Sequence, residues 1–135
     1  MAFGRLTAAK DIKPLEGAIV RRFIAGATLA AGEIAAMMSD GYVDPAIGTS
    51  AAGAAAVGIV LPGIGGKIAF AAGDNVDVVI FGPVQCLAEA TPGTLVWVSD
   101  TAGEPAEAAG TKDTVVGRSI SASILLVNPW VIDVS

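Results

Sequence analysis

One phrase, used three times, sets the limits on this chain: a small-small-Gly step, a short apolar run, and a second glycine about ten residues later. It stands as LAAGEIAAMMSDGYVDPA from Leu29, FAAGDNVDVVIFGPVQCLA from Phe70 and ATPGTLVWVSDTAGEPAEA from Ala90, so that Gly32, Gly73 and Gly93 are answered by Gly41, Gly82 and Gly103. The first and third copies agree further. Met38-Ser39-Asp40 with Asp44-Pro45-Ala46 parallels Val98-Ser99-Asp100 with Glu104-Pro105-Ala106, and each copy leads on to a valine-glycine segment, Val57-Gly58-Ile59-Val60 or Val116-Gly117-Arg118-Ser119-Ile120. Repetition on this scale reports a repeated supersecondary unit, and the chemistry of the phrase predicts a β-hairpin. Its first glycine can take positive φ at little steric cost and deliver the chain into a strand, while the second stands where a turn must reverse it.

Between the glycines lie Thr94-Leu95-Val96-Trp97-Val98 and Val76-Asp77-Val78-Val79-Ile80-Phe81, rich in the β-branched and aromatic residues that suit a pleated surface. Further strands are predicted over 18–24, 56–61, 67–71, 84–87, 114–121, 124–127 and 130–134. Short, evenly spaced strands with Gly and Pro turns predict an all-β domain, a small sandwich or barrel. The alanine run at 51–56 is interrupted by Gly53 and too short to nucleate a helix alone. At 135 residues the chain is expected to form one β-rich domain over 18–135, preceded by an extended arm over 1–17 in which Pro14 and Gly17 oppose helix.

Hydrophobic residues make up 53% of the chain but aromatic ones only 5%, so much of the apolar count is alanine and the core is expected to be thin. Some apolar surface is therefore predicted to be covered by other subunits, because large exposed apolar patches are unusual on a soluble monomer. No charge occurs from Pro45 to Gly66, enough residues to span a bilayer, yet the stretch holds six glycines, Pro62, Thr49 and Ser50. It reads as a small-residue loop plus the strand around Ile59, with a membrane-active role for 45–66 as the alternative. The N-terminal stretch lacks the continuous apolar region of a signal peptide, so synthesis in the cytoplasm is expected.

Charge is unevenly placed. In the first 22 residues Arg5, Lys10, Lys13, Arg21 and Arg22 stand against Asp11 and Glu16, a balance of +3, whereas the remainder carries three basic and eleven acidic residues, −8. An acidic body disfavours nucleic acid, and the basic segment has no interleaved aromatics on which bases could stack. Its five cations are instead candidates for docking on an acidic protein surface. Trp97, inside an apolar strand, is expected in the core; Trp130, after Pro129, is a candidate subunit contact.

Signs of catalysis are poor. With no histidine, Ser-His-Asp, Cys-His and His-metal groupings cannot form within the chain. The string Leu61-Pro62-Gly63-Ile64-Gly65-Gly66-Lys67-Ile68 fails the phosphate-loop pattern at both ends, with leucine for the first glycine and isoleucine after the lysine. Asp74 and Asp77, three apart on a strand, would point to opposite faces, without oxygen-rich calcium-loop spacing. The single cysteine, Cys86, excludes an intramolecular disulfide and reads as a small buried hydrophobe. No enzyme activity, cofactor or metal is expected.

The hairpins introduced by A-A-G-E/D, the V-G strands at Val57-Gly58 and Val116-Gly117, the T-P-G-T-L-V-W-V-S-D segment from Thr91 and the closing apolar strands together resemble the small decoration, or cement, proteins of tailed-bacteriophage heads. The resemblance runs from about Ala18 to Val134 and departs at the alanine- and glycine-rich 46–66. It implies a virion protein on the outside of an assembled capsid, often a homotrimer, that bridges major capsid protein subunits and stabilises the head. A small β-clip ligand-binding module is the other reading of the same hairpins.

Overall fold

The computed structural model describes residues 4–50 and 53–131. The chain opens with β1 (Gly4–Arg5), β2 (Lys13–Pro14) and β3 (Ile19–Ile24), and the first glycine phrase supplies β4 (Leu29–Ala30), β5 (Ile34–Met37) and β6 (Val43–Pro45). Next come β7 (Ala56–Val60), β8 (Ala69–Phe70), the long β9 (Asn75–Gln85) and β10 (Leu87–Ala88). The last four are β11 (Leu95–Val98), β12 (Pro105–Ala106), β13 (Thr114–Ser119) and β14 (Ile124–Val131). Helix among the described residues is limited to two single 3-10 turns, Ala9–Asp11 and Ile64–Gly66.

The fold is all-β, as the glycine pattern predicts. An antiparallel sheet in the order β12-β11-β13-β14-β9-β7-β5-β6 curls into a half-barrel. β9 is its spine, and its composition explains why. Along Val76-Asp77-Val78-Val79-Ile80 the valines are not confined to one face, and the strand is buried from both sides: Val76 and Val78 enter one apolar cluster, Val79 and Val84 another. The larger cluster fills the hollow of the half-barrel, where Ile34, Ile59 and Leu61 meet Val96, Val116, Leu125 and Val127. The smaller packs Leu29 and Phe70, paired across β4 and β8, onto Ala35, Val43, Val60, Val76 and Val78. It is ringed by β3, β9, β7, β5 and β6, because a parallel bridge between Ala25 and Val43 ties the end of β3 to β6.

The repeat is a structural one for its first and third copies. β5–β6 and β11–β12 are antiparallel hairpins, and each first strand pairs with a valine-glycine strand: Ile34 faces Ile59 and Ala35 faces Gly58 in one copy, Leu95 faces Arg118 and Val96 faces Gly117 in the other. The pairing slips at matching places, between Ala35 and Ala36 and between Val96 and Trp97. Flanking bonds match too. Gly32 N–H donates to Val60 O at 2.7 Å and Val60 N–H to Glu33 O at 3.0 Å, while Gly93 donates to Ser119 O at 2.7 Å and Ser119 to Thr94 O at 2.9 Å. Even the glycine of each valine-glycine strand serves one purpose, letting the neighbouring strand's carbonyl, of Val79 or Leu126, come where a Cβ would be.

The second copy departs from the hairpin expectation. Gly82 does not reverse the chain: β9 passes straight through it, so the strands expected at 76–81 and 84–87 are largely one. The glycine is used instead for approach, since a Cβ there would sit 2.8 Å from Ala18 Cα and 2.9 Å from Gly17 O. At this point β9 exchanges partners, from β3 and β7 along its first half to β2 and β14 along its second. Likewise the strands expected at 124–127 and 130–134 join as β14, which runs through Pro129 to Val131; residues 132–134 lie outside those described.

Residues 4–17 pass through two short strands and the 3-10 turn at Ala9–Asp11, and they are laid onto the body. β1 pairs with β10, Leu6 N–H donates to Cys86 O at 2.8 Å, and β2 pairs with Val84 and Gln85 of β9. Ile12 is buried in the larger cluster, and Gln85 Nε2 donates to Asp11 O at 2.8 Å. Cys86 is buried as expected, and burial raises its thiol above the ordinary value. A thiol-reactive dye is accordingly expected to label Cys86 only as the protein unfolds, so that labelling and loss of β circular dichroism coincide along a denaturant series; prompt stoichiometric labelling of native protein would contradict this burial.

Candidate interaction surface

Nine large apolar side chains are exposed among the described residues, and four of them, Ile19, Val20, Ile24 and Phe81, stand on β3 or directly beside it on β9. Ile19, 50% exposed, is paired across the strands with Phe81, 47% exposed. Only Phe23 of β3 turns into the smaller cluster. The sequence IVRRFI explains this half-buried state: its alternation is broken by adjacent arginines, so neither face is apolar throughout.

Arg22 lies opposite Asp77 in the strand register and its Nε donates to Oδ1 at 3.0 Å. Around this pair is a cleft of about 290 Å³ lined by Arg22, Ile64, Lys67, Phe70, Asn75 and Asp77. Lys67 Nζ reaches Asp74 Oδ2 at 3.0 Å and stands 5.3 Å from the centre of the Phe70 ring. The amide of Ala71 first, then Lys67, holds the Asp74 carboxyl below its usual range. Folding therefore gains from ionised Asp74 above the ordinary carboxylate pKa and loses that gain as the pH falls through the depressed one. Ile64 tops the loop beside this cleft and is 99% exposed. The loop's amides are turned inward, Gly63 N–H to Lys67 O at 2.8 Å and Gly66 N–H to Gly63 O at 3.2 Å, so the glycine string forms a closed turn rather than an open row of donors.

The five cations of the N-terminal segment are not gathered in one place. Arg21 and Arg22 are exposed on β3, and Lys13, exposed on β2, continues the same side of β9. Lys10 is exposed on the first 3-10 turn, beside an open apolar cleft with Ile12, Pro14, Leu61 and Pro62. Arg5 is engaged within the chain: Nε donates to Glu104 Oε2 at 2.6 Å, Nη1 donates to Ala31 O at 3.1 Å, and Nη2 stands 4.0 Å from Glu33 Oε2. Its side chain is only 16% exposed, so it fastens β1 to the body instead of facing a partner. Beside it, burial pushes the Glu33 carboxyl above the usual range against the opposing pulls of the Ala30 amide and Arg5. That contribution to stability is present below the ordinary carboxylate pKa and is lost as the pH rises through the elevated one. Trp97, expected in the core, is only half-buried and belongs to neither apolar cluster; the side chain of Trp130 lies outside the described residues.

What sequence reasoning missed is the apolar partner of the arginines. Ile19, Val20 and Phe81 read as ordinary strand residues, and nothing in their spacing says that β3 has, among the described residues, no strand paired along its outer side. Among the described residues there is no group of three or more Cys, Asp or Glu side chains placed to hold a metal. No helix there is long and apolar enough to cross a membrane, and the uncharged 45–66 stretch places Ala46, Ala54, Val60 and Leu61 in the core. No family model matches the chain, and no curated protein does either.

Proposed function

We propose that the protein is a non-enzymatic virion component: it binds the outer surface of a phage capsid, bridges major capsid protein subunits and stabilises the head, as a homotrimer. The observation that carries this reading is the juxtaposition on β3 and β9 of exposed apolar residues, exposed arginines and a strand that among the described residues is paired along one side only, laid against a β9 whose valines enter both apolar clusters. Such a surface is suited to adhesion. Linked contacts of this kind gain effective concentration, so modest interfaces become durable when several are engaged together. The reading rests equally on the sequence resemblance, which extends over the hairpins and the valine-glycine strands. It makes no use of nucleic acid, membrane or cofactor.

The alternative of a small ligand-binding module draws on the open cleft beside Lys10, but its lining of Ala9, Ile12, Pro14, Leu61, Pro62 and glycine offers Lys10 as the only charged group. A pocket with several converging polar groups would be the better basis for that reading.

Co-sedimentation with empty heads assembled from the major capsid protein of the same phage tests the proposal. The expected result is saturable occupancy at a fixed ratio and a higher temperature of head disruption. Exchanging Lys10 and Lys13 for glutamate should lower occupancy, the loss shrinking as salt screens exposed charges over about 8 to 10 Å. No occupancy at any salt concentration would dismiss a capsid role.

A further inference from the structure

The exposed pair Ile19 and Phe81 lies at one margin of a wider face, the side of the sheet turned away from the larger cluster. Alternation along the strands defines that face. Val96 and Val98 of β11, Val84 of β9, and Leu125 and Val127 of β14 enter the larger cluster, so Leu95, Pro83 and Leu126 project on the opposite side. The register then brings them into line: Leu95 faces Arg118, Arg118 faces Leu126 and Leu126 faces Pro83, one row across four strands. Phe81 stands two residues from Pro83 on β9, and so on the same side, with Ile19 opposite it. Leu126, Phe81 and Ile19 are exposed, and a shallow hollow of about 110 Å³ lies between Leu95, Arg118, Leu126 and Asn128. A parallel row runs two residues away, where Ile124 faces Gln85 and Gln85 faces Lys13.

The charges on this face are of one sign. Arg118 and Lys13 are both exposed, and neither has an ion-pair partner among the described residues. Arg118 Nη1 donates to Gly93 O at 2.7 Å, which fixes the guanidinium above the row. None of the described side chains paired on the face is acidic, although the whole chain carries a net charge of −5. Two copies meeting through this same face would therefore offer Arg118 and Lys13 no counter-charge in any register. Asn128, exposed beside Leu126, adds an amide that acyl chains could not satisfy, which favours a protein partner over a membrane. The fitting complement is a protein surface with apolar side chains and carboxylates among them.

We infer that this outer face of β11, β13, β14 and β9 is the seat of the protein on the capsid, and that the major capsid protein meets it with an apolar patch whose carboxylates oppose Arg118 and Lys13. The inference rests on the capsid binding contained in the proposed function and assigns it a face.

Co-sedimentation with empty heads, native mass spectrometry and flotation with phosphatidylglycerol vesicles test it on wild type, Leu126→Asp, Arg118→Glu, Arg118→Lys and Tyr42→Ser. Tyr42, exposed on the β5–β6 hairpin, is the control for losing apolar surface elsewhere. Thermal melts establish that each variant is folded, and Leu126→Ser or Arg118→Gln replaces one that melts early. The expected result is affinity for heads weaker by about tenfold or more in Leu126→Asp and in Arg118→Glu, near wild type in Arg118→Lys and Tyr42→Ser, with native mass the same throughout. Heads occupied equally by wild type, Leu126→Asp and Arg118→Glu, or an equal loss in Tyr42→Ser, overturn the assignment of this face while leaving capsid binding standing. A native mass that changes in Leu126→Asp or Arg118→Glu makes the face a contact between copies, and vesicle flotation that Leu126→Asp abolishes makes it a membrane surface; either overturns the assignment. No occupancy by wild type removes the capsid reading and, with it, this role for the face.

Discussion

Gly58→Ala and Gly117→Ala are each expected to destabilise the fold by about 3 kcal/mol or more, enough to lower the melting temperature by roughly 10 °C or to prevent folding. At Gly58 an added Cβ would fall well inside contact distance of Val79 O, with Val79 C at 2.7 Å and Val78 Cγ1 at 3.0 Å. At Gly117 it would meet Leu126 O in the same way, with Leu126 C at 2.9 Å. The obstructing atoms are backbone of the adjacent strand in both cases, and relief means separating β7 from β9 or β13 from β14. The first pairing is with the spine itself, and the second holds β14, which is paired with that spine. Gly41→Ala, Gly73→Ala and Gly93→Ala supply the contrast. All three glycines have positive φ, yet a Cβ at any of them meets nothing within 4 Å, so only the local cost of about 1 to 2 kcal/mol is expected. Denaturant melts of the five variants check the ranking; equal losses throughout would mean that backbone conformation, and not strand approach, requires glycine at 58 and 117.

Removing residues 1–17 is expected to destabilise the whole protein rather than free a dispensable arm. The cut takes away β1, β2 and the buried Ile12, and leaves Glu33 and Glu104 without Arg5. Ile12→Ala alone should cost about 2 to 5 kcal/mol, the range for emptying such a site in a core. Thermal melts of Ile12→Ala and of the truncated chain check this. A truncation that melts like wild type would show that the body closes without the segment. Loss of capsid binding on truncation would thus not identify a docking arm, which is why charge exchange at Lys10 and Lys13 is the informative change.

The fold was legible where chemistry is local. A-A-G before a β-branched run announces the start of a strand at Ile34 and Asn75, T-P-G does so at Leu95, and the matching phrases around Gly41 and Gly103 are matching hairpins. Gly82 was misread because a glycine that turns the chain and a glycine that admits a neighbouring backbone look alike in sequence; only the presence of Gly17 and Ala18 against it tells them apart. Residues 4–14 were underread for a related reason. Ile12 stands alone between Asp11 and Lys13, and a single apolar residue has no period to reveal its destination. The candidate surface was legible in its cations and illegible in its arrangement, since Arg5 and Arg21 are alike in sequence while Glu104 lies 99 residues from Arg5.

The two apolar clusters have no seam between them. Val76 and Val78 belong to one and Val79 and Val84 to the other, on a single unbroken strand, with β5 dividing its neighbours in the same way: Ile34 and Ala36 on one side, Ala35 on the other. A solvent molecule or a pulling force that opens either half must twist the strand on which the other half is built. The duplication does not divide the core either: the larger cluster draws Ile34 and Ile59 from one copy and Val96 and Val116 from the other, so neither copy keeps a core of its own.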